Sequence, residues 1–300
     1  MRVLASRRFP GPAWDELGDV HHEWPVAGRR PGVEVLAVVG ASVDEAVLDL
    51  LPDLKLVANY GVGYDGIDLE ACGRRGVAVS NTPDALGVAT ADLTLALILA
   101  VLRRVVEGDR FVRDGRWGTE WVAGALMGDD VSGATIGVVG LGRIGTAVAR
   151  RAAAFDMRVV YTRRSSETSR EFERRPLDEL LRESDVVTLH VPLTPQTRGL
   201  IDARRLALLR DGACLVNTSR GPIVDENALV RELVSGRLRA GLDVFADEPN
   251  VPHELLPLPN VVVLPHVGSA TQRTREAATA ELVANVRAAL TGAPLPNRVV

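Results

Sequence analysis

Residues 135–155 read TIGVVGLGRIGTAVARRAAAF and are the most informative part of the sequence. Segment 135–140 predicts a buried strand, and glycines at 140, 142 and 145 lead into a helix with small residues beside the last glycine. A strand, a Gly-x-Gly-x-x-Gly turn and a helix in this order favour a dinucleotide site, because the bare turn lets a pyrophosphate reach the helix N-terminus. Gly140, Gly142 and Gly145 are therefore predicted cofactor-binding residues. The alternative is a tight turn that binds nothing.

The same glycine pattern occurs a second time, in NYGVGYDGID at 59–68. Here Asp65 and Asp68 would repel a pyrophosphate, and the next helix, LEACGRR, spans barely two turns. The loop is therefore a poor nucleotide site. Its backbone N–H groups can still hold a small carboxylate, and a purely structural turn remains an equal alternative.

Outward from these two loops, short apolar runs alternate with helical patterns along the chain. The predicted strands lie at 2–5, 35–39, 54–59, 77–81, 135–140, 158–162, 186–191, 214–219, 240–245 and 261–265. Strands that are apolar on both faces and separated by helices predict parallel sheets covered on both sides. The expected fold class is α/β with two doubly wound parallel-sheet lobes. A Rossmann cofactor domain, 96–268, is inserted in a flavodoxin-like substrate domain, 1–95 and 269–300.

Bulk composition narrows the class of protein. A length of 300 residues predicts two domains. The net charge of −4 indicates no nucleic-acid partner. With only two cysteines, we expect neither a disulfide framework nor a metal site. The longest apolar stretch, 93–102, has ten residues, about half of a membrane span. We therefore expect no membrane association and a cytoplasmic location.

The end of the next predicted strand, RVVYTRRSS at 158–166, bears on cofactor choice. About twenty residues after the first glycine, NAD-binding loops usually place an acid on the ribose hydroxyls. This chain has Thr162 there, followed by Arg163, Arg164 and Ser165, with no carboxylate beside them. Guanidinium groups and hydroxyls suit a 2′-phosphate, which predicts NADP(H) in preference to NAD(H). The alternative is a solvated basic loop.

Five motifs occur in order along the chain. They are VVGLGRIG (138–145), HVPLTPQTRGLI (190–201), LVNTSRGPIVDENAL (215–229), GLDVFADEP (241–249) and LPHVGSAT (264–271). Together they resemble the D-isomer-specific 2-hydroxyacid dehydrogenases, a family that includes glyoxylate/hydroxypyruvate reductases, phosphoglycerate dehydrogenases and D-lactate dehydrogenases. The resemblance covers most of the chain from about Asn59 onward.

The resemblance implies a catalytic trio of Arg220, Glu248 and His266. An imidazolium at His266 can protonate the oxygen of a 2-keto acid while hydride reaches the carbonyl carbon. Glu248 would favour the imidazolium and fix the ring, and Arg220 would bind the substrate carboxylate and polarise the carbonyl. Taken singly, each residue also has a plain structural explanation.

The resemblance implies further binding residues. Val62 and Gly63 would offer backbone N–H groups to the substrate carboxylate, together with Arg220. Thr94 would lie near the nicotinamide, and Asp243 would contact its amide, unless Asp243 is only a strand-end cap. Cofactor contacts are further implied at Gly140, Gly142, Arg143, Ile144, Gly145, Val191, Pro192, Thr197 and Thr218.

These observations favour an NADPH-preferring reductase of small 2-keto acids such as glyoxylate or hydroxypyruvate. The alternatives are an NAD-dependent D-3-phosphoglycerate dehydrogenase and, in another class, an NAD(P)-sensing corepressor-like interaction protein. The resemblance also implies a homodimer, whose contact we expect in 110–128, a segment rich in Trp and Gly. Leu86, Trp117 and Trp121 are candidates for lining the substrate pocket.

Overall fold

Two α/β units make up the protein, as seen in a computed structural model that describes residues 2–118 and 126–300. Unit 1 runs up to Ala89 and resumes from Ser269 to Val300, and unit 2 spans Thr90–Gly268. The chain passes from one to the other inside a helix, α4 (Gly87–Leu102). The boundary expected at residue 95 falls within this helix, a little later than the division found by packing.

Unit 1 is built on a five-stranded sheet in its described residues, with strand order β2-β1-β3-β4-β5. The strands are β1 (Val3–Ala5), β2 (Val20–His22), β3 (Val35–Val38), β4 (Leu56–Asn59) and β5 (Ala78–Ser80), and the helices are α1 (Pro12–Asp15), α2 (Glu45–Leu50), α3 (Leu69–Arg74) and α10 (Gln272–Thr291). This 2-1-3-4-5 order is that of flavodoxin-like folds. All its registered strand pairs are parallel.

Both faces of this sheet are covered, which explains why its inner strands β1, β3 and β4 are mostly apolar. On one face Leu36 and Val57 pack in a cluster of buried residues that also holds Ile67 and Ala71. On the other face the strands meet Leu282 of α10.

The edge strand β5 is covered by the last residues of the chain. Val299 donates its N–H to Val79 O at 2.7 Å, and Val79 donates to Val300 O at 3.2 Å. Ser80 and Arg298 form an antiparallel bridge beside them. These bonds occupy backbone groups that an exposed strand edge would offer to other chains.

Unit 2 carries a seven-stranded sheet in its described residues, in the order β12-β11-β10-β9-β6-β7-β8. The strands are β6 (Thr135–Val139), β7 (Arg158–Thr162), β8 (Glu173–Arg174), β9 (Val186–Leu189), β10 (Cys214–Asn217), β11 (Arg239–Leu242) and β12 (Val261–Val263). The helices after α4 are α5 (Val105–Arg113), α6 (Arg143–Ala154), α7 (Leu177–Glu183), α8 (Ala203–Leu206) and α9 (Glu226–Val234), with 3-10 turns at Gly221–Ile223 and His253–Leu255.

The order of this second sheet reverses at β6, which pairs with β7 on one side and with β9 on the other. Ligands of open parallel sheets bind at the carboxyl ends of the strands at such a reversal. The glycine turn 140–145 comes directly after β6 and therefore lies at this position. The expected fold class, two doubly wound parallel-sheet lobes, is confirmed.

Two short strands were not predicted, β2 and β8. Their sequences, VHH and ER, are polar because both lie at sheet edges and are largely exposed.

Both cysteines, Cys72 and Cys214, are buried and free. Over the described ranges, no helix is both long and apolar enough to cross a membrane, and no group of three or more His, Cys, Asp or Glu residues is arranged to hold a metal.

Candidate active site

The glycine turn after β6 can be built only from glycines at two of its three positions. Gly140 has φ 98°, and a Cβ there would meet the carbonyl of His190 at 2.5 Å. A Cβ at Gly145 would collide with the carbonyl of Gly140, so the first turn of α6 packs directly on the turn that precedes it. At Gly142 an added Cβ would meet nothing within 4 Å, which leaves open space at the middle glycine.

The N-terminus of α6 is not capped by a side chain. Gly142 is its N-cap residue, and Arg143 and Ile144 begin the first turn. Ile144 packs partly against the core, and Arg143 is exposed. Uncapped N–H groups at a helix start attract an anion, so the residues present fit the pyrophosphate of a dinucleotide.

The strand end proposed for the 2′-phosphate differs from the sequence-based expectation in one respect. A carboxylate does stand beside the arginines, because Glu167 Oε2 lies 2.7 Å from Arg163 Nη2. The expectation that no carboxylate adjoins them is therefore wrong. Glu167 comes four residues after Arg163, and the loop between them turns back far enough for the two side chains to pair. Arg164 and Ser165 are exposed on the same loop.

Sequence reasoning missed a third arginine at this strand end. Arg174 lies in β8, opposite Tyr161 of β7, and its Nη2 donates to the carbonyl of Arg163 at 2.9 Å. Thr162, the last residue of β7, accepts the N–H of Gly140 at 2.9 Å and so ties the strand end to the glycine turn. β8 has only two residues, so the sequence carries no signal for Arg174.

Thr94, which was predicted to lie near the nicotinamide, meets Thr218, another predicted cofactor contact, inside unit 2. Their hydroxyl oxygens are 3.0 Å apart, and both side chains are buried. Thr94 of α4 also donates to the carbonyl of Thr90 at 2.8 Å.

Asp243 uses both carboxylate oxygens to hold a backbone loop. Oδ1 accepts the N–H of Val267 and Oδ2 that of Gly268, each at 2.8 Å. Burial raises the pKa of Asp243 above its usual range, although these N–H bonds and the charge of His266 favour the anion. Asp243 therefore does act as a strand-end cap. Each carboxylate oxygen has a second lone pair, so a further contact with a ligand remains compatible with it.

The motif after β9 forms a loop that its own hydroxyls fix. Thr197 Oγ1 donates to Pro192 O at 2.6 Å and accepts the N–H of Thr194 at 2.8 Å. Val191 packs partly against the core, and its side chain lies near Gly140. The loop that carries Val191 and Pro192 therefore adjoins the glycine turn.

His266 and Glu248 form a hydrogen-bonded pair, with Nδ1 and Oε2 2.7 Å apart. The other oxygen of Glu248 accepts the N–H of Phe245 at 3.1 Å. Burial pushes the pKa of Glu248 up, but its bonds to His266 and Phe245 and the charges of His266 and Arg220 outweigh burial, so the pKa is below its usual value. Glu248 is therefore an anion that occupies Nδ1, and Nε2 is the ring nitrogen that remains for proton transfer.

The backbone of His266 adopts a left-handed conformation, with φ 53°. A non-glycine residue holds this conformation only where its surroundings impose it. Asp243 supplies that restraint, since its carbonyl accepts the N–H of His266 at 2.9 Å while its carboxylate binds the next two N–H groups. The orientation of the imidazole therefore depends on Asp243 as well as on Glu248.

Arg220 is brought to the same region by the glycine next to it. A Cβ at Gly221 would collide with the backbone of Phe245, so the Arg220 loop and the segment leading to Glu248 touch. Asn217 Nδ2 donates to the carbonyl of Arg220 at 2.9 Å, and Arg220 Nη1 donates to Ser219 O at 2.7 Å. The structure thus assembles the three predicted catalytic residues within unit 2.

The remaining predicted residues fall in several parts of the chain. Val62 and Gly63 lie in unit 1, in the loop after β4. Leu86 is buried, Trp117 is 72% exposed, and Trp121 lies outside the described residues. His190, at the end of β9, bonds Thr188 Oγ1 through Nε2 at 2.9 Å. Burial lowers the pKa of His190 to about 3, so this histidine stays neutral.

Two features of unit 2 define the class of protein. One is a Rossmann sheet with an open glycine turn where the strand order reverses, and the other is a histidine–carboxylate pair beside an arginine. Together they are typical of a nicotinamide-dependent oxidoreductase. Comparison with known proteins identifies the family within this class. Residues 95–268 match the family described as D-isomer specific 2-hydroxyacid dehydrogenase, NAD binding domain. The glyoxylate reductase of Pyrococcus horikoshii is 48% identical over 99% of this chain and 91% of its own length.

Solved structures agree with this family. A protein from Thermus thermophilus superposes with a TM-score of 0.92 at 46% identity, covering 100% of both chains. An NADPH-dependent glyoxylate/hydroxypyruvate reductase from Sinorhizobium meliloti, solved with NADP and malonate, gives 0.89 at 35% identity and covers 100% of this chain and 96% of that one. The chain belongs to the D-isomer specific 2-hydroxyacid dehydrogenase family and is an NAD(P)-dependent oxidoreductase.

Proposed function

We propose that the protein reduces glyoxylate and related short 2-keto acids to D-2-hydroxy acids, with NADPH as the preferred reductant. The observation that carries the proposal is the 2.7 Å bond between His266 Nδ1 and Glu248 Oε2. Arg220 is close enough for its charge to lower the pKa of Glu248. The names of the relatives support the substrate class, since the Pyrococcus and Sinorhizobium proteins are both described as reductases of glyoxylate.

Each residue has a part in the reaction. The glycine turn 140–145 would hold the pyrophosphate of a nicotinamide cofactor, which would supply the hydride that reduces the carbonyl carbon of the substrate. His266 donates the proton from Nε2 to the carbonyl oxygen, and Glu248 holds Nδ1 and balances the charge of the imidazolium. Arg220 binds the substrate carboxylate and draws electron density toward the carbonyl oxygen. In unit 1, the backbone N–H groups of Val62 and Gly63 can bind a carboxylate of the substrate.

The direction of the pH dependence can be deduced from this assignment. In the proposed mechanism, reduction starts from the protonated ring of His266 and oxidation of the D-2-hydroxy acid starts from the neutral ring. The two initial rates should therefore change in opposite directions as pH rises. The lowered pKa of Glu248 keeps the carboxylate charged throughout. Initial rates in both directions across a pH series test this, and parallel profiles would contradict the role of His266.

The preference for NADPH rests on Arg163 and Arg164 and is opposed by Glu167. A 2′-phosphate carries more charge than a carboxylate and can accept from both guanidinium groups, so it is expected to replace Glu167 at Arg163. NADH offers only hydroxyls to the same groups. The balance predicts a preference for NADPH with residual use of NADH.

The substrate is tested by steady-state rates with glyoxylate, hydroxypyruvate, pyruvate and phosphohydroxypyruvate, each with NADPH and NADH. We expect the highest kcat/KM for glyoxylate or hydroxypyruvate with NADPH. A maximum for phosphohydroxypyruvate with NADH would instead identify a phosphoglycerate dehydrogenase. Absence of turnover with every keto acid, in a protein that still binds NADPH, would favour the interaction protein.

The catalytic assignment is tested by His266→Ala. We expect kcat to fall by about 100-fold to 10,000-fold, the usual contribution of a general acid. The fluorescence titration of NADPH should be unchanged, since the side chain pairs with Glu248 rather than with the glycine turn. His190→Gln is the matched control, because His190 is neutral and takes no part in the proposed proton transfer. Equal losses in the two variants would contradict the assignment.

We also propose a homodimer formed through unit 2. Helix α5 has an apolar stripe but no buried side chain, and Val105, Val112, Trp117 and Met127 are more than half exposed. A second copy would cover this surface. Part of the expected contact segment, 119–125, lies outside the described residues. Light scattering should give twice the chain mass, and Val112→Glu should shift it toward the monomer. A monomeric wild-type protein would refute the dimer.

A further inference from the structure

Two asparagines, Asn59 and Asn81, occupy matching places under the glycine loop of unit 1. Strands β4 and β5 pair in register with Ala58 opposite Ser80, and each asparagine is the next residue in its strand direction. Because side chains alternate between the faces of a sheet, both asparagines point to the same face. Asn59 is 5% exposed, and Asn81 is less buried.

The two side-chain amides bind three successive carbonyls of the loop. Asn59 Nδ2 donates to Gly61 O at 3.3 Å and to Gly63 O at 3.0 Å. Asn81 Nδ2 donates to the carbonyl between them, Val62 O, at 3.0 Å. Three consecutive peptide oxygens are therefore turned toward one pair of side chains.

The N–H groups must then point the other way. In a planar trans peptide the C=O of one residue and the N–H of the next are opposed. Holding the carbonyls of residues 61 to 63 therefore directs the N–H groups of Val62, Gly63 and Tyr64 away from the asparagines. Among the described residues, the N–H groups of Val62 and Gly63 have no acceptor.

The N–H of Gly61 is excluded from this set. It donates to Thr82 Oγ1 at 2.9 Å, and Thr82 N donates back to Gly61 O at 3.0 Å. Thr82 is fully buried, so this exchange fixes the start of the loop. The loop is thereby anchored at Gly61, and its next peptides are oriented by Asn59 and Asn81.

We propose that Asn59 and Asn81 are positioning residues for the substrate carboxylate. They act through the loop, by holding its carbonyls so that consecutive N–H groups converge on an anion, and they do not touch the substrate themselves. This inference rests on the proposed function, in which Val62 and Gly63 bind the carboxylate of a 2-keto acid. It adds the two side chains that give the loop its anion-binding orientation.

The test compares Asn59→Ala and Asn81→Ala with a matched control, Asn285→Ala. Asn285 is also a buried asparagine of unit 1 whose Nδ2 donates to a backbone carbonyl, that of Glu281 at 2.8 Å, but it lies in α10. The measured quantities are KM and kcat for glyoxylate, the dissociation constant of oxamate by calorimetry with NADPH present, and the dissociation constant of NADPH.

If the loop turns in Asn59→Ala, one N–H bond from the loop to the substrate carboxylate is lost. Both KM and the dissociation constant of oxamate should then rise by about tenfold or more. The substrate carboxylate is bound equally before and during the reaction, so kcat should change much less. Binding of NADPH should be unchanged. Asn285→Ala should lower the thermal midpoint of unfolding and leave KM and oxamate binding unaltered. If Asn59→Ala does not fold, Asn81→Ala carries the test.

Unchanged KM and oxamate binding in both loop variants would overturn the inference, as would an equal rise in Asn285→Ala. These outcomes are distinct from failure of the proposed function, which would appear as a wild-type protein that turns over no keto acid. Oxamate binding still tests the loop in that case. A wild-type protein that neither reacts nor binds oxamate would refute both proposals.

Discussion

The two Gly-x-Gly-x-x-Gly segments, 61–66 in unit 1 and 140–145 in unit 2, share a pattern and differ in the helix start beside it. Helix α6 begins inside its pattern and has a glycine N-cap without a side-chain bond. Helix α3 begins after its pattern, and its N-cap, Asp68, accepts the N–H of Ala71 at 2.8 Å. One helix start is open to an anion, and the other already holds a carboxylate.

The third glycine of each pattern also differs in its contact. A Cβ at Gly145 would collide with Gly140 O in the same turn, whereas a Cβ at Gly66 would meet Ala41 O, in a neighbouring loop, at 2.7 Å. Gly145 thus closes the turn before α6, and Gly66 lets two loops pack together. The comparison teaches that the cap residue and the packing partner, and not the glycine spacing, decide what such a loop can bind.

Among the changes that test the difference between the two loops, replacing these third glycines with alanine should have the greatest effect. Gly145→Ala should weaken NADPH binding by about tenfold to 100-fold, because relief of the collision opens the turn. Gly66→Ala should reduce the free energy of unfolding and leave NADPH binding as it was. Fluorescence titration and thermal unfolding of both variants check this. Equal losses of NADPH affinity would erase the distinction between the loops.

The double change of Arg163 and Arg164 to alanine tests the far end of the cofactor site. Loss of charge-assisted bonds should raise KM for NADPH by about tenfold to 100-fold, with little change for NADH. Arg170→Ala, at an exposed position in the same loop, is the control. If KM for NADH rose equally, the arginines would not read the 2′-phosphate.

Glu167→Gln should have a smaller effect of opposite sign. The ion pair with Arg163 is exposed and therefore weak, so its removal should lower KM for NADPH by about twofold to fivefold. KM for NADH should not fall. A higher KM for NADPH would show that Glu167 orients Arg163 rather than competing with the phosphate.

The smallest effect is expected from Asp68→Ala in unit 1. Loss of the N-cap should reduce the free energy of unfolding by about 1 kcal/mol. No second nucleotide should bind, because the glycine loop of unit 1 precedes a helix of six residues and packs against another loop. Stoichiometry of NADPH by calorimetry checks this, and two equivalents per chain would contradict the comparison.

The sequence predicted the fold class well, because buried parallel strands such as β3 and β4 consist mainly of apolar residues. It did not predict β2 and β8, whose edge positions leave them polar. Contacts between distant residues were equally out of reach. Asp243 accepts the N–H groups of Val267 and Gly268, which lie 24 and 25 residues further along the chain, and no local sequence pattern predicts these bonds.

In the candidate site too, the sequence predicted the residues of its motifs but not the contacts between separate segments. The motifs pointed to Arg220, Glu248 and His266, and the structure places them together. Glu167 was missed because only the turn of its loop brings it back to Arg163. Asn59 and Asn81 were missed because their pairing depends on the register of two strands, which a single sequence does not reveal.

The two buried cysteines have a practical consequence. Burial raises the pKa of Cys214 to about 12 and also raises that of Cys72, so neither supplies a thiolate near neutral pH. Maleimide dyes should leave the native protein unlabelled. A cysteine introduced at a chosen surface site would then be the sole attachment point for a fluorophore, without prior removal of the natural thiols.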